Sequence, residues 1–169
     1  MSSRDDYFQD LIRFTEKNYF LTCAYARNCF YLLLKALGVG KDDEVIVPAY
    51  SCLSIYKTIE EVGAIPIYVD CDEGTLNISP EKIKLAIGIH TKLIYVIHAY
   101  GIVARIDEIV SIANDRGIWL VEDISHTLNA QYNGRPAGSY GHFTIVSLTK
   151  LFLNYQGAVI TTNDKIVFS

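Results

Sequence analysis

The sequence predicts an α/β fold in which helices cover both faces of a mostly parallel β-sheet. Short apolar runs rich in Val, Ile and Tyr alternate with segments whose apolar residues recur at helical spacing. The runs are continuously apolar instead of alternating with polar residues, which is typical of parallel strands buried on both faces. No linker, repeat or low-complexity tract interrupts the pattern. We therefore expect residues 1–169 to form a single domain.

The N-terminal part is predicted to contain a helix, a short strand and a second helix, in that order. Apolar residues recur at helical spacing among charged ones over 5–18, which predicts an amphipathic helix. Residues 19–25 form a short aromatic and apolar stretch that allows a strand. Asn28 is then expected to cap a helix that ends at Gly38.

Strands and helices alternate through the rest of the chain. Each expected strand is an apolar run, and each expected helix has apolar residues three or four positions apart. The predicted strands lie at residues 44–47, 65–69, 92–98, 118–122, 142–147 and 158–162. The predicted helices lie at residues 54–62, 80–87 and 105–116.

The composition is typical of a soluble globular protein, because 50% of the residues are hydrophobic and 20% are charged. The net charge of −4 argues against nucleic acid as a partner, since phosphate binding usually requires a basic excess. The first ten residues are polar and acidic, so no signal peptide is expected. No apolar run approaches the ~18 residues of a membrane span. We expect a cytoplasmic protein that binds neither nucleic acid nor membrane.

The cysteines and histidines are too scattered for a disulfide framework or a metal site. We therefore expect reduced thiols and no bound metal. These residues are Cys23, Cys29, Cys52, Cys71, His90, His98, His126 and His142.

Polar side chains cluster after four of the predicted strands. Ligands of parallel sheets bind beyond the carboxyl ends of the strands, so the four clusters are expected to converge on one crevice. The clusters occupy residues 48–51, 98–101, 123–126 and 147–150.

Asp123 and Lys150 stand at the ends of two of these strands, where one cofactor could lie between them. Pyridoxal 5′-phosphate (PLP) needs this pair, a lysine for a Schiff base and a carboxylate for the pyridinium nitrogen. Taken singly, Lys150 is as well explained as a solvated surface residue and Asp123 as a turn former. Residues 147–150 also match the S-x-x-K motif of penicillin-binding serine acylases, but the K-T-G and S-x-N motifs of those enzymes are absent.

Longer stretches resemble the sugar aminotransferases of the DegT/DnrJ/EryC1/StrS family, which are PLP-dependent enzymes of fold type I. The matching runs, in family order from about Cys23 to Asp164, are ALGVGKDDEVIVPAYSC, GAIPIYVDCDEGTLNISPEKI, IYVIHAYG, WLVEDISH and SLTK. The resemblance implies a three-layer α/β/α large domain with a mostly parallel seven-stranded sheet. It also implies PLP as the cofactor and a homodimer as the assembly.

Three residues receive roles at the cofactor ring from this resemblance. Lys150, the implied catalytic residue, would bind the cofactor covalently and move a proton between substrate and cofactor. Asp123 would keep the pyridine nitrogen protonated so that the ring accepts electrons. His126 stands where many members have Gln or His near the ring, with a purely structural role as the alternative.

Four further residues are implied to hold the cofactor. Ser147 matches a serine that contacts the phosphate, unless it simply ends its strand. Arg27 and Asn28 occupy a helix start where the family usually reads Gly-Thr-Ala, and backbone N–H groups there would hold the phosphate. Cys52 replaces an aromatic residue common in the family, so stacking on the ring would be weaker. His98, by contrast, is expected to be structural.

The implied reaction transfers an amino group, with glutamate as the expected donor, to a keto group of a nucleotide-linked sugar. Such enzymes serve cell-surface polysaccharide or secondary-metabolite biosynthesis. Retention of Lys150 argues against the dehydratase branch of the family, in which histidine replaces this lysine. Family members continue with a C-terminal small domain that has no counterpart after Ser169. The chain therefore resembles a truncated aminotransferase, and the alternative is an inactive remnant that still binds PLP.

Overall fold

The computed structural model describes residues 14–151 and 156–164. The strands are β1 (Tyr19–Cys23), β2 (Glu44–Pro48), β3 (Ile65–Val69), β4 (Thr91–Ile97), β5 (Trp119–Asp123), β6 (Gln131–Tyr132), β7 (Arg135–Pro136), β8 (Phe143–Ser147) and β9 (Ala158–Thr162). The helices are α1 (Ala26–Ala36), α2 (Leu53–Glu61), α3 (Pro80–Ala86), α4 (Ile106–Arg116) and α5 (Leu148–Leu151). The helix predicted over 5–18 lies mostly outside the described residues, and only residues 14 and 15 of its described part are helical.

Seven of these strands form one sheet in the order β1-β9-β8-β5-β4-β2-β3. The strands from β8 to β3 are parallel to their neighbours, whereas β9 is antiparallel to both β1 and β8. Because both β1 and β8 run opposite to β9, β1 runs in the same direction as β8. The carboxyl ends of six strands therefore meet at the same edge of the sheet. The predicted mostly parallel seven-stranded sheet is confirmed.

Helices cover both faces of the sheet, as predicted. On one face α1 and α2 bury residues such as Phe30 and Ile59 against Val45 and Val121. On the other face, α3 and α4 bury apolar residues such as Ile109 against the sheet. Apolar burial of this kind is the main stabilising term of a fold. It also explains why the strands read as unbroken apolar runs. No helix in the described part of the chain is both long and apolar enough to cross a membrane.

Helix α1 begins earlier than the sequence suggested. Its N-cap is Tyr25, which has extended backbone angles and whose side chain accepts no cap hydrogen bond. Asn28 lies inside the first turn, where its N–H donates to the Tyr25 carbonyl at 3.0 Å. The cap predicted at Asn28 is therefore wrong, because the helix follows within three residues of the end of β1. The predicted end is correct, since Gly38 has a φ of +70°, a conformation that favours glycine.

The β6–β7 hairpin and the short helix α5 were not predicted. The hairpin turns at Asn133 and Gly134, whose φ angles are +47° and +78°. An Asn-Gly pair is the preferred sequence for two-residue turns with both φ angles positive, so the signal was present in the sequence. The other predicted strands and helices agree with the structure to within one or two residues at each end.

Candidate active site

A cavity of about 300 Å³ opens at the carboxyl edge of the large sheet. Residues from all four predicted strand-end clusters line it, so the prediction of a shared crevice is confirmed. The lining residues are Tyr50, Ser51, Cys52, Ile55, Leu76, Ile97, Ala99, Tyr100, Asp123, His126 and Lys150. Within the part of the chain that the structure describes, no group of three or more His, Cys, Asp or Glu residues is placed to hold a metal ion.

Asp123 ends β5 and presents a nearly buried carboxylate to the cavity, with 4% of the residue exposed. The Tyr95 hydroxyl donates to its Oδ2 at 2.8 Å, and the backbone N–H of Ser125 donates to its Oδ1 at 2.9 Å. Donors on both oxygens fix the orientation of the carboxyl group. The site therefore presents the Asp123 oxygens in a fixed position.

Lys150 lies in α5, directly after β8, and its side chain is exposed to the cavity. Its Nζ lies 3.1 Å from Nε2 of His126. Burial lowers the pKa of His126, and the positive charge of Lys150 lowers it further. A neutral imidazole accepts a hydrogen bond at one ring nitrogen, so His126 can accept from the lysine ammonium. The two side chains therefore form a hydrogen-bonded pair at the cavity.

Two tyrosines stand at the mouth of the cavity. The Tyr100 ring stacks on the His126 ring, with centroids 5.2 Å apart and planes inclined by 17°. The Tyr100 hydroxyl lies 3.0 Å from the Tyr50 hydroxyl, and both tyrosines are more than half exposed. Hydrogen bonding to Tyr100 raises the pKa of Tyr50, so the Tyr50 hydroxyl stays protonated at neutral pH. The two tyrosines are therefore available to contact a ligand that enters the cavity.

Tyr100 keeps its position through an unusual backbone conformation. Its φ is +49°, a left-handed value that few non-glycine residues adopt. The side-chain amide of Asn77 holds the turn on both sides, accepting from the N–H of Ala99 at 2.9 Å and donating to the carbonyl of Ile102 at 3.1 Å. Strained residues held in this way are common at functional sites.

Ser147 and Cys52 occupy different positions relative to the cavity. Ser147 is buried at the end of β8, and its Oγ lies 2.8 Å from the Thr149 hydroxyl; it is not among the lining residues. Cys52 lines the cavity, with its Sγ 3.2 Å from the Ser54 hydroxyl. Hydrogen bonds with Ser54 lower the pKa of the Cys52 thiol, and the charge of Lys150 acts in the same direction. Contact of either residue with a cofactor remains a prediction.

Arg27 and Asn28 lie in the first turn of α1, beyond the carboxyl end of β1 and outside the cavity lining. Both side chains are exposed, and the Arg27 guanidinium stacks 4.2 Å above the Tyr25 ring. No side chain caps this helix, so N–H groups of its first turn can donate hydrogen bonds to an anionic ligand. Their role in holding a phosphate remains a prediction.

A buried hydrogen-bonded pair, Glu122 and His98, lies on the opposite face of the sheet strand that ends in Asp123. Glu122 and His98 are both fully buried, and their Oε2 and Nε2 atoms lie 2.9 Å apart. The N–H of Ala104 donates to Nδ1 of His98, so the proton of a neutral imidazole is on Nε2. Glu122 also accepts from the backbone N–H groups of Gly138 and Tyr140. The structural role predicted for His98 is confirmed.

Replacing Glu122 by alanine is expected to destabilise the protein by about 3–5 kcal/mol, because it leaves buried donors without an acceptor. Burial alone would raise the pKa of Glu122, but His98 and the surrounding amides outweigh burial and lower it. Chemical unfolding at pH 7 measures the effect. Glu60→Ala, which removes an exposed partner of Lys57, is the control and should change stability little. Equal stability of the two variants would contradict this role of Glu122.

Sequence reasoning missed Tyr95, Tyr50, Tyr100 and Glu122. A tyrosine within an otherwise aliphatic strand was a usable signal for Tyr95, because a buried hydroxyl requires a partner. Tyr50 and Tyr100 lay inside the strand-end clusters but were not singled out. Glu122 had no distinctive signal beyond being an acid in an apolar strand.

Comparison with known proteins agrees with this fold and site. The chain belongs to the DegT/DnrJ/EryC1/StrS aminotransferase family, whose sequence profile matches residues 3–168. It is 32% identical to the GDP-perosamine synthase of Escherichia coli O157:H7 over 99% of this chain and 48% of that protein. It is 36% identical to the L-glutamine:scyllo-inosose aminotransferase of Streptomyces griseus over 79% of this chain and 32% of that protein.

A solved structure confirms the architecture. NtdA from Bacillus subtilis, solved with its cofactor PMP bound, superposes with a TM-score of 0.86 at 27% identity, covering 99% of this chain and 39% of NtdA. The fold is therefore that of the large domain of PLP-dependent aminotransferases. The chain spans about half or less of the length of the relatives that it matches.

Proposed function

We propose that this chain forms the cofactor-binding part of a PLP-dependent aminotransferase that acts on a keto group of a nucleotide-linked sugar. The observation that carries the proposal is the meeting of Asp123, His126 and Lys150 in one cavity at the carboxyl edge of the sheet. Membership of a family of aminotransferases supports it. The name of the E. coli relative, GDP-perosamine synthase, also supports it.

The residues of the cavity fit PLP. Lys150 offers an exposed primary amine beside a neutral histidine, and Asp123 offers a fixed carboxylate. Ser147 and the uncapped start of α1, at Arg27 and Asn28, would hold the phosphate. When bound, PLP supplies an electron-accepting ring for removal of a proton from the carbon next to an amino group. NtdA, a related fold, holds the amino form of this cofactor.

The protein's own residues then divide the proton handling between them. Lys150 would take a proton from the substrate carbon and return it, and Nε2 of His126 would accept the hydrogen bond of Nζ when Lys150 is protonated. Asp123 would hold the proton of the ring nitrogen through its fixed carboxylate. Tyr100 would keep the imidazole in place by stacking on it.

Donor, partners and location are parts of the same proposal. We propose glutamate as the amino donor, although the Streptomyces relative is named for L-glutamine; both therefore belong in the assay. We also propose a cytoplasmic homodimer without nucleic acid or membrane partners. The net charge of −4 supports the absence of nucleic acid.

The test is to add PLP to the purified protein, reduce the mixture with borohydride and locate the modified lysine by mass spectrometry. We expect a phosphopyridoxyl group at Lys150. Addition of glutamate or glutamine without borohydride should then convert bound PLP to its amino form. Absence of modification at Lys150 would refute the cofactor assignment. Modification without conversion by either donor would favour a PLP-binding remnant over an aminotransferase.

Replacing His126 by glutamine is expected to make kcat independent of pH on the acid side, since an amide can still contact Lys150 but has no titratable nitrogen. The folded-state pKa of His126 lies below its ordinary value of 6.5, so the imidazole is neutral at pH 7. Activity due to His126 should therefore persist at neutral pH and decline only as pH falls through this lowered pKa.

A pH profile of kcat from pH 5 to 8 checks this, because His126→Gln should lose the acid-side decline. His142→Gln is the matched control, since burial also lowers the pKa of His142 but this residue lies before β8, at the opposite edge of the sheet. An unchanged profile in His126→Gln would contradict the role of His126.

A further inference from the structure

Tyr95 contacts the cavity residue Asp123 from within the sheet. It lies in the middle of β4, and its ring is among the largest fully buried side chains. Its hydroxyl donates to Oδ2 of Asp123 at 2.8 Å. Sheet register makes this possible, because Ile97 pairs with Asp123 and Tyr95 lies two residues before Ile97 on the same face.

The surroundings of Tyr95 hold the phenol in this orientation. The Phe30 ring of α1 packs against it, with centroids 4.6 Å apart and planes inclined by 55°. Burial raises the pKa of Tyr95 well above its ordinary value, and the negative charge of Asp123 raises it further. The hydroxyl therefore stays protonated at neutral pH and can only be the donor to the carboxylate.

We propose that Tyr95 is a positioning residue that fixes Oδ2 of Asp123 and stabilises its ionised form. This inference rests on the proposed function. A donor to a carboxylate favours the charged form, so the proton shared between Asp123 and a bound cofactor would stay on the ring nitrogen. Without the Tyr95 hydroxyl, the carboxylate would be held only through Oδ1, by the N–H of Ser125. Tyr95 would thus tune the electron-accepting strength of the ring without touching it.

The first test needs no cofactor. Unfolding equilibria of the wild type, Tyr95→Phe, Asp123→Ala and the double variant form a double-mutant cycle. We expect a coupling between the two positions of about tenfold in the unfolding equilibrium, since a buried hydrogen bond to a charged group is among the stronger ones. The control cycle uses Tyr132→Phe and Asp107→Ala, a second tyrosine–aspartate pair at 2.9 Å but at an exposed position. Its coupling should be smaller.

The second test measures the protonation state of the ring nitrogen. PLP labelled with ¹⁵N at the ring is bound to the wild type, Tyr95→Phe and Tyr132→Phe, and its ¹⁵N chemical shift is measured. We expect the shift in Tyr95→Phe to move towards the value of the deprotonated ring, whereas Tyr132→Phe should match the wild type. Phenylalanine preserves the packing on Phe30, so a purely structural role would leave the shift unchanged.

The outcomes separate the two claims. Failure of the wild type to bind PLP at Lys150 refutes the proposed function, and the role of Tyr95 toward the cofactor falls with it. Absence of coupling in the cofactor-free protein refutes the Tyr95 role alone. Coupling together with an unchanged ¹⁵N shift also overturns it, because Tyr95 would then only stabilise the fold.

Discussion

Replacing Lys150 by alanine is expected to abolish covalent attachment of PLP and to lower the rate of amino transfer by about 10⁴-fold. In the proposed function, the side chain supplies both the amine that binds the cofactor and the base that moves the substrate proton. His126 lies 3.1 Å from Nζ in the intact site, but an imidazole cannot take over both roles. Single-turnover kinetics with glutamate measure the rate, and borohydride reduction followed by peptide mapping measures the attachment.

Lys57→Ala is the matched control for this variant. Lys57 is an exposed lysine of α2, paired with Glu60 on the helix surface and absent from the cavity lining. It should retain both the attachment at Lys150 and the full rate. A Lys150→Ala variant that transfers amino groups at the wild-type rate would show that another residue moves the proton.

Replacing Asp123 by asparagine is expected to lower kcat by about a hundredfold to a thousandfold while leaving the fold intact. Asparagine has the same shape but no charge, so nothing would keep the ring nitrogen protonated when electrons reach the ring. The near-complete burial of Asp123 makes the loss severe, because water cannot replace the missing charge. The variant should still become modified at Lys150, which separates cofactor binding from catalysis.

Asp107→Asn provides the comparison for Asp123→Asn. Asp107 lies in the first turn of α4 and accepts from the Tyr132 hydroxyl at an exposed position. It should have wild-type kcat. Equal kcat values for Asp123→Asn and the wild type would contradict the assignment of Asp123 to the ring nitrogen.

The fold was largely predictable because its physical signals are local. Strands buried on both faces must be apolar throughout, and this made them visible as runs between helices. The start of α1 was misplaced at Asn28, since a capping side chain is only one way to begin a helix. Here the extended backbone of Tyr25 begins it without a side-chain cap. The Asn133-Gly134 turn had a clear signal, but its strands are only two residues long.

The site was predictable only where the direction of the strands determines which residues lie close together. Parallel strands bring their carboxyl ends to one edge, so Asp123 and Lys150 could be expected near each other. The contact between Tyr95 and Asp123 depends on the register of β4 against β5, which local sequence does not determine. Likewise, the stacking of Tyr100 on His126 depends on a strained turn held by Asn77, a residue distant in sequence from both.

A crystal structure of the PLP-bound protein would show whether Asp123 and Lys150 hold one PLP molecule between them. We predict continuous density between Lys150 Nζ and the cofactor, with the ring nitrogen about 2.7–3.0 Å from a carboxylate oxygen of Asp123. A cofactor attached to a different lysine, or one whose ring nitrogen faces away from Asp123, would refute this arrangement.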